Sequence, residues 1–143
     1  RGEVKRTGAT SMVSINDSGQ ELNLDWENGP SPMQVCLQMA GACSMVDVVH
    51  ALDRRDLRTA DVVLDAERSK EYPRVFTKKH MTYRISGNSI PKELVERLIT
   101  SSHEKYCSVS AMLKSSAEIT WSLELTELDL SKPLQVIIYI IMT

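Results

Sequence analysis

Apolar and polar positions alternate through the first 27 residues: Met12, Ile15, Leu22, Leu24 and Trp26 are separated by polar side chains. A period of two predicts strands with one covered face, and Asp17-Ser18-Gly19 between two runs predicts a hairpin turn in which Gly19 takes a positive φ. Residues 2–8 supply a third candidate strand. Such a small sheet buries little by itself, so its apolar face needs a partner. The period then changes. Asn28-Gly29-Pro30 breaks the strand, and Ser31-Pro32-Met33-Gln34 opens a helix, with Ser31 as cap, Pro32 at the first helical position and Gln34 closing a capping box. The helix is predicted over residues 31–55, ending near Arg54 or Arg55, whose charges suit a C-terminus. Its first turns are apolar on nearly every side, which predicts a central helix covered on most faces.

Two strand patterns follow, at residues 60–67 (Val62, Leu64, Ala66) and 75–86 (Phe76, Met81, Tyr83, Ile85), with Tyr72-Pro73 marking the turn. Gly87-Asn88-Ser89-Ile90-Pro91 ends the second strand and opens a helix over about 91–105, where Leu94, Val95, Leu98 and Ile99 follow helical spacing. A short helix at 109–114 has Ser108 as its cap, and residues 117–128 alternate again through Ile119, Trp121, Leu123 and Leu125. Pro133 breaks the chain before an uncharged, β-branched run at 134–142, an aggregation hazard unless it covers a sheet edge or an interface. The order predicts an α+β fold, a single domain over residues 1–143, with antiparallel sheets packed on a long buried central helix.

The composition narrows the class. A chain of 143 residues, 42% hydrophobic and 25% charged, can bury a core without disulfides or metal. A formal charge of −2, with Lys and Arg scattered, argues against a nucleic-acid partner. Three cysteines argue against a secreted disulfide scaffold, and the start carries no signal-peptide pattern, so the expected location is cytoplasmic. Residues 33–52 have the length of a membrane span but include Gln34, Gln38, Asp47 and His50. A central Asp alone costs roughly 2.5–3.5 kcal/mol on insertion, so the reading is a buried helix of a soluble protein.

The cysteines are the candidate chemistry. Cys36, Cys43 and His50 share one helix face at spacings of seven. Seven residues rise roughly 10 Å, too far for any two of them to reach one zinc ion. Cys43, Asp47 and His50, with Cys107 as a fourth ligand, could draw closer but have no standard ligand spacing. No metal or cofactor is expected, and Cys36 reads as a core residue. Cys43 lies in Ala40-Gly41-Ala42-Cys43-Ser44, where apolar surroundings raise a thiol pKa and make an inert small hydrophobe the default. Cys107 immediately precedes a helix start, where free N–H groups favour a thiolate. If the fold brings the two together they form a dithiol redox site; otherwise they are small core residues.

The combination resembles the OsmC/Ohr-like proteins (osmotically inducible and organic hydroperoxide resistance proteins). The resemblance rests on Gly29-Pro30-Ser31-Pro32-Met33-Gln34 leading to Ala40-Gly41-Ala42-Cys43-Ser44, on Tyr72-Pro73-Arg74-Val75-Phe76-Thr77, and on Glu104-Lys105-Tyr106-Cys107-Ser108-Val109-Ser110. It covers roughly residues 10–126 and looks closer to a less characterised branch than to the best-known peroxidases. It implies an intertwined homodimer around two central helices. It also implies a thiol-dependent peroxidase, in which Cys43 attacks an organic hydroperoxide, Cys107 resolves the sulfenic acid to a disulfide, and an external thiol reduces the bridge.

The chain departs from the family's active peroxidases at two points. Their helix-opening glutamate is replaced by Met33 and Gln34, and no arginine matches the one that activates the first cysteine. Arg6, Arg74 and Arg84 are the candidates, with Glu104 as a possible orienting group. Two rival readings therefore stand beside the peroxidase: a non-catalytic module binding a small hydrophobic molecule along the long helix, and a redox sensor.

Overall fold

The computed structural model describes residues 1–128 with their side chains and the backbone of Val136–Met142. Its contacts divide into two compact units, residues 1–38 and 39–143. In the first, β1 (Gly2–Arg6), β2 (Ser11–Asn16) and β3 (Glu21–Asp25) form an antiparallel sheet in sequence order. The β2–β3 turn is the expected one, with Gly19 at φ 80°. Helix α1 (Pro32–Ala51) begins in this unit with the anticipated capping box. The Ser31 N–H donates to Gln34 Oε1 at 2.8 Å, and the Gln34 N–H donates to Ser31 Oγ at 3.3 Å.

The rest of α1 belongs to the second unit, where Ala40, Gly41, Ser44 and Val48 form one buried stripe. Small residues there let the helix approach the sheet closely. A Cβ on Gly41 would stand 2.7 Å from Leu64 Cδ1 and 3.0 Å from Val62 Cγ1. The expectation that most faces of α1 are covered is not met within one chain, since Met39, Val46 and Val49 are exposed. The helix is long and apolar enough to cross a membrane by length and composition alone. It also stops earlier than expected. Leu52 and Arg55 donate to carbonyls three residues back, tightening the last turn, and β4 begins at Asp56.

The second sheet runs in the order β4 (Asp56–Arg68), β5 (Phe76–Asn88), β6 (Glu118–Leu128), β7 (Val136–Met142). Central strand β5 turns Lys79, Met81, Tyr83 and Ile85 to the buried side, where Met81, Tyr83 and Ile85 join Val48, Leu52, Val95 and Leu123 in the core. One expectation is corrected here: β5 and β6 are parallel, so the sheet is mixed rather than antiparallel. The connection between them carries α2 (Lys92–Ser101), a π-helical turn (Ser102–Tyr106) and α3 (Ser108–Leu113), enough chain for a parallel return. The apolar run near the C-terminus pairs antiparallel with β6 and closes that edge of the sheet; its side chains, and residues 129–135, lie outside the described residues.

Candidate dithiol site

Cys43 sits on α1 between Ala42 and the buried Ser44, itself half-buried, as a free thiol. Cys107 is placed by a change of helix type. The helix expected over 91–105 is α-helical only to Ser101; residues 102–106 then widen into a π turn. That turn is closed by the Cys107 N–H donating to the Ser102 carbonyl at 2.7 Å. Cys107 next adopts an extended backbone (φ −76°, ψ 104°) and, in place of the expected Ser108, is itself the cap of α3. Its sulfur accepts the Ser110 N–H at 3.4 Å, and its carbonyl accepts the Ala111 N–H at 3.0 Å.

The fold makes the two cysteines neighbours, with the Cys43 side chain close enough to bear on the Cys107 proton. Cys107 is only 2% exposed, and burial pushes its thiol up; the Ser110 hydroxyl and N–H pull the other way, and the neighbouring Cys43 adds to the rise. The Ser110 hydroxyl makes no geometrically sound hydrogen bond, yet it lies close enough to that sulfur to favour the thiolate. Cys36 is half-buried in the N-terminal unit, and His50 is exposed. Among the described residues no three His, Cys, Asp or Glu side chains converge on one ion position.

Beside the thiols runs a polar chain through an otherwise apolar interior. The Ser102 hydroxyl reaches Asp47 Oδ2 at 2.7 Å and Ser44 Oγ at 2.9 Å. Ser44 bonds the Tyr83 hydroxyl at 2.6 Å, and Tyr83 bonds His103 Nε2 at 2.8 Å. Ser44, Tyr83 and Ser102 are fully buried. Burial drives the Tyr83 phenol well above its ordinary pKa despite the Ser44 bond, so it stays un-ionised. Burial, then the Lys114 charge, hold the His103 imidazole below its usual value. Sequence reasoning considered Asp47 only as a metal ligand and missed Ser44, Tyr83, Ser102 and His103. The available signal was a serine on the smallest-residue stripe of an apolar helix, where a hydroxyl must find a partner.

The three candidate arginines are engaged locally. Arg6 donates to the Gly8 carbonyl at 2.9 Å and Arg74 to the Ser69 carbonyl at 3.3 Å. Arg84 points to the sheet face opposite Tyr83 and pairs with Glu124 at 3.1 Å. Glu104 is exposed and borders a cavity of about 360 Å³ with His103, Lys114 and Trp121. Further along α1, Met45, Val46, Val49, Leu52 and Leu57 line an open apolar groove of about 680 Å³.

The chain is similar to known proteins in sequence and fold. The sequence profile described as "OsmC-like protein" matches residues 25–122. Protein YhfA of Escherichia coli is 36% identical over 129 residues, covering 87% of this chain and 96% of that protein. A hypothetical protein from Aquifex aeolicus superposes with a TM-score of 0.77 at 28% identity, covering 89% of this chain and 97% of that one. The organic hydroperoxide resistance protein OhrB of Bacillus subtilis has a TM-score of 0.56 at 16% identity, covering 86% and 97%, a likeness of fold alone. With more than half its length matched by that profile and 36% identity to YhfA across 87% of the chain, the chain belongs to the OsmC-like family.

Proposed function

We propose that the protein is a thiol-dependent peroxidase for organic hydroperoxides, with Cys43 as peroxidatic and Cys107 as resolving cysteine. The observation that carries this reading is the proximity of two free thiols delivered by separate elements, α1 and the cap of α3. The Cys43 thiolate attacks the outer peroxide oxygen and the O–O bond breaks. The alkoxide leaves as an alcohol with one proton, and Cys43 becomes a sulfenic acid. The Cys107 sulfur then attacks the Cys43 sulfur; the hydroxide departs as water with the Cys107 proton, and a disulfide remains. Two equivalents of an external thiol, or one dithiol, restore both cysteines. The half-buried setting of Cys43 suits the role better than that of Cys107, which burial keeps protonated.

The same proposal includes a homodimer and a cytoplasmic location, with no membrane or nucleic-acid partner. The exposed Met39, Val46 and Val49 on an otherwise apolar helix support the dimer, since a second copy would cover them. The test is consumption of an alkyl hydroperoxide with a dithiol reductant, against hydrogen peroxide. Turnover that prefers the alkyl substrate and vanishes in Cys43→Ser supports the reading; equal, Cys43-independent loss of both peroxides refutes it.

A second reading has its own support. Where the active peroxidases of the family carry a carboxylate, this chain has Met33 and Gln34, the latter committed to the helix cap, and α1 carries an open apolar groove. A non-catalytic module would bind a small apolar ligand with an affinity unchanged by Cys43→Ser. A redox sensor, in contrast, would form the bridge without turnover.

A further inference from the structure

Cys107 and the buried polar chain are tied together through one residue. The Ser102 carbonyl accepts the Cys107 N–H across the π turn at 2.7 Å, while the Ser102 hydroxyl bonds Asp47 and Ser44 on α1, the helix that carries Cys43. The segment that presents the second thiol is therefore pinned, by both polar groups of one fully buried serine, to the helix that presents the first. A single proton on Ser102 faces two acceptors, one of them a carboxylate, and charged acceptors make the stronger bonds. A π turn is a rare way to end a helix and is frequent at functional sites. Ser102 continues the buried stripe of Val95 and Ile99 on α2, and the π turn that begins there leaves Cys107 at the start of α3.

We propose that Ser102 and Asp47 are positioning residues for the dithiol, clamping the π turn to α1 so that the Cys107 sulfur stays against Cys43. The proposal rests on the dithiol reading above but not on the identity of the oxidant. The clamp raises the effective concentration of Cys107 at Cys43, which favours the bridge at equilibrium and directs a Cys43 sulfenic acid to the disulfide before further oxidation. Tyr83 and His103 extend the chain on its other side and keep the Ser44 hydroxyl oriented.

The test is a redox titration of the full-length protein in glutathione or dithiothreitol buffers, with the Cys43–Cys107 bridge quantified by peptide mapping. Ser102→Ala is expected to lower the effective concentration about tenfold, which raises the potential by about 30 mV for this two-electron couple. Asp47→Asn, which keeps an acceptor but removes the charge, should move it the same way by a few-fold. Thr59→Ala removes the Thr59–Ser86 hydrogen bond between β4 and β5 and should leave the potential unchanged while lowering stability. The proposal is overturned if Ser102→Ala titrates like the parent protein, if Thr59→Ala shifts the potential equally, or if the parent protein forms no Cys43–Cys107 bridge in these buffers. A parent protein that bridges in glutathione but ignores hydroperoxide would sink the peroxidase reading and leave the clamp standing.

Discussion

Cys43 and Cys107 are neighbours, yet the backbone presents them in opposite ways. Cys43 is one residue among many on a regular helix, half-exposed, with its own N–H and carbonyl spent inside α1. Cys107 stands where one helix type ends and another begins, almost wholly buried, its sulfur accepting an N–H and its backbone held by Ser102. The helix start would favour a thiolate at Cys107, but desolvation is the larger influence and keeps the proton on. Position on a helix end therefore does not by itself make a reactive cysteine; access to water decides as well. Under the proposed function the half-buried Cys43 would meet the oxidant and the anchored Cys107 would resolve it.

The widest separation between the two roles comes from replacing each in turn. Cys43→Ser should abolish hydroperoxide consumption entirely. Cys107→Ser should allow one oxidation of Cys43, visible as a sulfenic acid trapped by a 1,3-dione, while losing the bridge. Identical behaviour of the two variants would erase the distinction.

The next effects fall on the surfaces that bring the two segments together. Gly41→Leu forces a side chain into Leu64 and Val62 and should cost about 1–3 kcal/mol in urea unfolding. A neutral result would mean that α1 does not pack on the sheet this closely. Tyr83→Phe removes a hydroxyl bonded to both Ser44 and His103 and should cost about 1–2 kcal/mol. A rise in stability would show that the polar chain contributes nothing to the fold.

The smallest effect is in pH. The folded Cys107 thiol titrates above its unfolded value, near 8.5, so the native state keeps a proton that the unfolded chain releases. Its contribution to stability is complete below about pH 8.5 and declines as pH rises through the folded value. Urea midpoints measured from pH 7 to 10 should fall less steeply in Cys107→Ala; an unchanged slope would place the thiol in water.

The parts of the molecule legible in the sequence are those governed by neighbours in sequence. The Ser31–Gln34 capping box closes over three residues, and the Gly19 turn and the alternation of β5 are equally local. What escaped is long-range or subtle in local energy. Parallel pairing of β5 with β6 depends on how the intervening helices fold back, which no residue in either strand encodes. Residues 102–105 hold no Gly or Pro to break the pattern, so they read as a continuation of the helix, and Ser108 looked a better cap than the cysteine beside it. Hydrogen bonds across 39 and 58 residues of chain join Ser44 to Tyr83 and Ser102, and only the fold sets them side by side. The same limit applies at the thiols. Their residue types and motifs were readable, whereas their proximity was conditional on the fold.

The proposed dithiol chemistry is tested most directly by intact mass and peptide mapping under non-reducing conditions after one equivalent of an alkyl hydroperoxide. The account predicts a loss of two hydrogens localised to a Cys43–Cys107 bridge, formed faster than with hydrogen peroxide. An unchanged mass, or oxygen gained only on methionines, would contradict it.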